Sequence, residues 1–150
     1  MKTISGLAII LATTFSSSAF AEGDLSRADV QKIAMEMGTD DDGNMYFKPD
    51  HLEFETGKAY ALVTTNVDDY KHELAMHEVS EKFFTRKIEI ESPDGELVAE
   101  IKGKIEEVEV GPHQTVEWFF VPIQIGADLD MSCEIEGHKE AGMFGTVTRY

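Results

Sequence analysis

The sequence predicts an all-β protein of two packed sheets built from about eight short strands. Two observations carry that prediction. Gly and Pro punctuate, at short intervals, stretches rich in Val, Ile, Phe and Thr. Several of those stretches alternate apolar and polar residues with the period of two that a half-buried strand requires, and hardly any segment reads as helix.

In chain order, Ile33, Met35 and Met37 alternate with Ala34 and Glu36 as a first strand, and Asp40-Asp41-Asp42-Gly43-Asn44 is a turn. Met45-Tyr46-Phe47 is a short strand stopped by Pro49, and Leu52 to Glu55 alternates cleanly before the turn Thr56-Gly57-Lys58. Tyr60 to Thr65 reads as a central strand ending at Asn66, and a polar loop then leads to His72. Residues 78–84 read as either a short helix or an irregular crossing. Lys87 to Glu91 and Leu97 to Ile101 flank Ser92-Pro93-Asp94-Gly95, whose early Pro and late Gly mark a turn, so the two segments pair as a hairpin. Ile105, Val108 and Val110 lead to the turn Gly111-Pro112-His113-Gln114. Thr115 to Val121 is a buried strand with Val116, Trp118 and Phe120 on one face, Leu129 and Met131 precede Cys133, and Thr146 to Tyr150 closes the chain. Strands of this length and number close a core by stacking two sheets.

Residues 1–21 are set apart from that domain. Lys2 is followed by an apolar run centred on Leu7 to Ala12 and by Ala19-Phe20-Ala21, the order of a secretory signal peptide with its cleavage site. The run is shorter than the roughly 20 apolar residues a bilayer span needs. The expectation is an exported, periplasmic protein with a single domain over residues 22–150. A formal net charge of −16 argues against nucleic acids and anionic membranes as partners and favours a basic one.

Cys133 is the single cysteine, so no disulfide closes within the chain. A lone cysteine in an oxidising compartment is an inert core residue, half of an intermolecular bridge, a nucleophile or a metal ligand, and its neighbours decide. They spell Cys133-x4-His138-x4-Met143, with Gly137 and Gly142 allowing sharp turns. Thiolate, imidazole and thioether from one loop are a soft donor set that selects copper, and a second imidazole would complete a His2Cys site with a weak axial Met. Thioether is a poor zinc ligand, and a structural zinc site closes with four Cys or His. Among the five histidines, His51 and His113 fall in turns beside Pro49 and Pro112. His72 lies where the loop after the central strand re-enters a strand, and His77 is its competitor. A Cys-His nucleophile would need an oriented base and an oxyanion site, and no third polar partner completes one.

These residues resemble the cupredoxin superfamily of plastocyanin and azurin, which takes one His from an early loop and Cys, His and Met from the last. Asn66-x5-His72 and Cys133-x4-His138-x4-Met143 follow that plan. The chain is most similar to periplasmic cupredoxins of copper tolerance through Met45-Tyr46-Phe47-Lys48-Pro49, His72-Glu73, and Gly137-His138-Lys139-Glu140-Ala141-Gly142-Met143-Phe144-Gly145. The likeness runs from Ile33 to Tyr150 and is weakest over residues 79–107, read as an inserted hairpin. It implies a Greek-key sandwich binding one mononuclear type 1 copper through His72, Cys133, His138 and Met143. Ser132 and Glu134 flank the cysteine where a multicopper oxidase or nitrite reductase would place a bridging His, and no second cysteine in the loop provides for a binuclear centre. The expectation is therefore a protein that is not an enzyme. It would serve copper handling and tolerance, or one-electron transfer, with a periplasmic redox or copper-trafficking protein as partner. Ala141 and Phe144 would form a docking patch beside His138, and Glu73 would brace the ligand loop. Met35 and Met37 are core filler, or part of a second copper(I) site with Met45, Met76, His77 or Met131.

Overall fold

The computed structural model describes residues 29–92 and 94–150, so the export signal expected over 1–21 lies outside the described residues. No helix among the described residues is long and apolar enough to cross a membrane. The strands are β1 (Gln31–Thr39), β2 (Met45–Lys48), β3 (His51–Phe54), β4 (Tyr60–Asn66), β5 (His72–Ala75), β6 (Phe83–Glu91), β7 (Leu97–Ile101), β8 (Glu107–Val110), β9 (Thr115–Pro122), β10 (Gly126–Ser132) and β11 (Phe144–Arg149), with one helical turn, α1 (His77–Ser80), before β6. That is eleven strands among the described residues, where about eight were expected. The additional strands are β5 and β8, each four residues long and too short for alternation to mark reliably, and β10, in which Leu129 and Met131 are the only large apolar residues. The crossing over 78–84 resolves into α1 and the start of β6.

The strands form a six-stranded sheet, ordered β2-β1-β4-β9-β6-β7, and a five-stranded sheet, ordered β3-β11-β10-β5-β8. Both are mixed: β1 runs parallel to β4, and β3 parallel to β11. The expected hairpin is present, with Ile88 opposite Ile101 and Ile90 opposite Ala99. Its first strand is integral to the larger sheet, pairing with β9 along its length, and only β7 is an exposed edge.

The core lies between the sheets. Met35, Met37, Leu62, Ile88, Trp118 and Phe120 from one sheet meet Leu52, Phe54, Leu74, Met131 and Val147 from the other. Val116, Trp118 and Phe120 share the inner face of β9, as the alternation requires. Glu117 between them points outward and accepts from Lys32 Nζ at 2.9 Å. Phe54 packs edge-on against Tyr60 and Phe120, at centroid separations of 4.9 and 5.0 Å, and Phe83 stacks on Phe120 at 3.9 Å. Met35, Met37, Met76 and Met131 are all buried members of this core, the packing role methionine's flexible thioether suits.

One outward contact ties β1 to β2. Tyr46 donates its hydroxyl hydrogen to Glu36 Oε1 at 2.7 Å. That hydrogen bond, then partial burial and the nearby charges of Glu36, Asp68 and Asp40, push the phenol up to about 12. The neutral phenol is therefore favoured in the folded state. Its stabilisation is full below about pH 10 and is lost as pH rises through the folded value. Base titration of stability should show a drop between about pH 10 and 12 that Tyr46→Phe removes; superimposable profiles for the two proteins would refute this origin.

Candidate metal centre

The structure brings His72, Cys133 and His138 to one point. His72 opens β5, Cys133 follows the last residue of β10, and His138 lies in the loop between β10 and β11. His138 Nδ1 is 3.2 Å from His72 Nδ1 and 3.3 Å from Cys133 Sγ, and the three donor atoms lie within 4.8 Å of one another. An ion bound at about 2.0–2.3 Å from each N or S donor needs those donors roughly 3.3–3.8 Å apart. Two of the pairs are already close to that spacing, so the residues fit a small thiophilic ion.

Asn66 ends β4 and braces the loop that leads to His72. Its Nδ2 faces the carbonyl oxygens of Tyr70, Val110 and Gly111 at 2.8, 3.0 and 3.1 Å, and its Oδ1 accepts from the Asp68 N–H at 2.9 Å. The Asn at the strand end thus sets the path of the first-ligand loop. Glu73 acts on the site through its backbone: its N–H donates to Cys133 Sγ at 3.3 Å.

The closing loop is held by its own backbone. The Cys133 N–H donates to the Met143 carbonyl and the Met143 N–H to the His138 carbonyl, both at 3.0 Å. The loop is anchored outside itself where Met45 N–H donates to the Ala141 carbonyl at 2.9 Å. Gly142 has φ +110°, and a Cβ there would come within 2.9 Å of the Met45 carbonyl oxygen, so conformation and close approach both demand glycine. Met143 is fully buried, between that glycine and the first residue of β11.

Burial pushes the Cys133 thiol up, and the N–H groups of Glu73 and Ile135 only partly offset it. A metal bound at Cys133 would therefore displace a proton. Burial, and then the neighbouring His72, holds the His138 imidazolium below its ordinary value, which leaves a neutral ring able to donate a lone pair. An open cavity of about 520 Å³ lies against the loop, bordered by Cys133, Glu134, Glu136, Lys139 and Glu140.

The other histidines go elsewhere. His77 is nearly half exposed and contacts Glu134 Oε1 at 3.0 Å. His51 belongs to β3 rather than a turn and meets Thr146 Oγ1 at 2.7 Å. His113, at φ 56°, pairs with Asp69. Three contributors to the site were missed by the sequence reading: Asp68, Thr39 and Tyr70. Asp68 Oδ2 lies 2.8 Å from His72 Nε2 and accepts from Thr39 Oγ1 at 2.7 Å. Burial alone would push this carboxyl up, but hydrogen bonds from His72, Thr39 and Tyr70 outweigh it and hold the group below its ordinary value. The Tyr70 ring covers both imidazoles, with centroids 5.1 Å from His72 and 6.0 Å from His138. Nothing in the segment Val67-Asp68-Asp69-Tyr70 distinguishes Asp68 from its exposed neighbour Asp69.

No protein-family model matches the chain, and no curated protein does. Solved structures do match. The multicopper oxidase from Campylobacter jejuni, a metallo-oxidase, aligns with TM-score 0.61 at 14% identity over 93% of this chain and 32% of its own. The copper nitrite reductase from Nitrosomonas europaea aligns with TM-score 0.62 at 11% identity over 83% of this chain and 50% of its own. The Cu-containing nitrite reductase from Thermus scotoductus gives 0.61 at 13%, over 80% and 31%. The chain has the fold these copper proteins share, the cupredoxin fold. It spans about a third to a half of their length.

These matches correct one expectation. The chain was read as not an enzyme because Ser132 and Glu134 flank Cys133, but the structures it resembles are oxidases and nitrite reductases. A cupredoxin unit occurs as part of larger catalytic assemblies, so the residues beside one cysteine do not decide whether its redox chemistry is coupled to catalysis.

Proposed function

We propose that the chain is exported to the periplasm and binds one copper ion in a mononuclear type 1 site, through His72, Cys133, His138 and Met143, for one-electron transfer. The observation that carries this reading is the convergence of His72 Nδ1, His138 Nδ1 and Cys133 Sγ. When bound, copper supplies the one-electron couple between its cupric and cuprous states. Asn66, the Glu73 N–H and the loop's own hydrogen bonds would hold the two imidazoles and the thiolate in place in both. Met143 would supply a weak thioether donor that tunes the potential. Phe144, more than half exposed beside Met143, offers an apolar contact for a redox partner, and the acidic surface favours a basic one.

A second reading, copper handling of the kind suggested by the copper-tolerance likeness, is favoured by the open cavity beside Cys133. Glu134, Glu136 and Glu140 give it an acidic rim that would attract a cation. Stopped-flow reduction and reoxidation with basic cytochromes, run beside copper transfer to metal-free acceptor proteins, separates the two. Fast electron exchange with copper retained is expected. Ready donation of the ion with sluggish exchange would overturn the electron-transfer reading in favour of copper handling.

A further inference from the structure

His72 has two ring nitrogens, and the chain uses both. Nδ1 faces His138 and Cys133, whereas Nε2 faces Asp68 Oδ2 at 2.8 Å. A carboxylate only accepts, so the proton of a neutral His72 ring resides on Nε2 and the Nδ1 lone pair is left facing the other two donors. The imidazole is fully buried and the Asp68 side chain nearly so, at 14% exposure.

Asp68 is itself fixed from three sides. Its Oδ2 also accepts from Thr39 Oγ1 at 2.7 Å, its Oδ1 faces the Thr39 N–H at 3.3 Å, and its own N–H donates to Asn66 Oδ1 at 2.9 Å. The Tyr70 hydroxyl in turn contacts the Thr39 hydroxyl. The end of β1, the end of β4 and the loop between β4 and β5 therefore hold one carboxylate against one imidazole. An Asn, or a backbone carbonyl, would accept the same proton. What Asp68 adds is a full negative charge, largely shielded from water, on the far side of a ring whose near side faces the metal site.

We propose that Asp68 is the positioning residue of His72: it fixes the ring so that Nδ1 is free to bind metal, and its charge strengthens that nitrogen as a donor, favouring the cupric over the cuprous state. The charge half of this proposal rests on the copper reading above, and the orientation half does not. Outer partners that orient a metal-binding imidazole raise its basicity, and their loss typically costs about 10- to 100-fold in metal affinity or activity.

Two variants separate orientation from charge, and two measurements separate Asp68 from the copper reading. In the metal-free protein, long-range proton–nitrogen correlation spectra report which ring nitrogen of His72 carries hydrogen. With copper added, equilibrium titration reports the reduction potential and competition with a chelator reports affinity. Wild type should show the proton on Nε2. Asp68→Asn, whose side-chain oxygen still accepts, should keep that tautomer and raise the potential. Asp68→Ala should mix the tautomers and weaken copper binding by about 10- to 100-fold, with the fold retained by circular dichroism. A proton on Nδ1 in the metal-free wild type, or an unchanged tautomer in Asp68→Ala, would overturn the positioning role. An unchanged potential in Asp68→Asn would overturn the charge effect. If wild type takes up no copper, the copper reading and the charge effect fail together, and the tautomer measurement still decides whether Asp68 orients His72.

Discussion

Replacing Cys133 by Ser should abolish the intense thiolate-to-copper absorption expected of the wild-type protein with copper(II), while leaving the metal-free fold close to wild type. The substitution is nearly isosteric, and the thiol is fully buried. The Glu73 N–H that donates to Sγ at 3.3 Å can donate to a hydroxyl oxygen in its place. The hydroxyl stays protonated and is a poor ligand for a soft ion, so His72 and His138 would lose the anion proposed to hold copper between them. Met143→Leu should behave differently. The thioether is a weak axial donor, so this variant should keep copper and its colour and show a raised potential. A colourless Met143→Leu protein would move Met143 from tuning to holding the ion. Colour persisting in Cys133→Ser would remove the cysteine from the site. Visible spectra, chelator competition and redox titration on the three proteins read these outcomes directly.

Trp118→Ala should be the most destabilising single change outside the site, at about 3–5 kcal/mol. Trp118 is only 1% exposed, in the middle of β9, opposite Leu62 on β4 and Ile88 on β6. Its ring meets Phe83 and Phe120 edge-on, and Nε1–H donates to Thr85 Oγ1 at 3.1 Å. Truncation leaves a cavity between the sheets that three hydrogen-bonded strands cannot collapse to fill. Trp118→Phe keeps most of the ring volume and should cost clearly less. Denaturant unfolding of the metal-free proteins measures both, and equal losses for Ala and Phe would shift the cause from packing to the hydrogen bond with Thr85.

The site was legible where it is local in sequence. Cys133, His138 and Met143 share one loop, so their spacing alone exposes them, and Gly142 is readable as the residue that lets the loop turn. His72 comes from 61 residues earlier in the chain. It could be chosen over His77 by its place after a central strand and by the His72-Glu73 pair, and the structure puts His77 among surface carboxylates. Asp68 was illegible because its role is purely spatial: it faces His72 from four residues away, while the next residue, also Asp, faces solvent and His113. The sandwich followed from alternation in segments such as β1, β3 and β9, whereas the four-residue β5 and β8 hold too few residues to show a period. Residues 79–107 read as one insertion, yet Phe83 and Ile88 from this segment are core residues of β6. Only pairing with β9, 39 residues away where Phe83 lies opposite Pro122, makes that strand central. The flanks of Cys133 were read as excluding an enzyme, and that inference failed because coupling to catalysis is a property of an assembly, not of one loop.

The central claim is that one copper binds at His72, Cys133, His138 and Met143. Stepwise addition of copper(II) to the purified chain, followed by visible absorption and electron paramagnetic resonance, tests it most directly. The predicted result is an intense thiolate-to-copper band that saturates at one equivalent, with the narrow hyperfine splitting of a type 1 centre. A colourless complex with wide splitting, or colour that continues to grow beyond one equivalent, would contradict it.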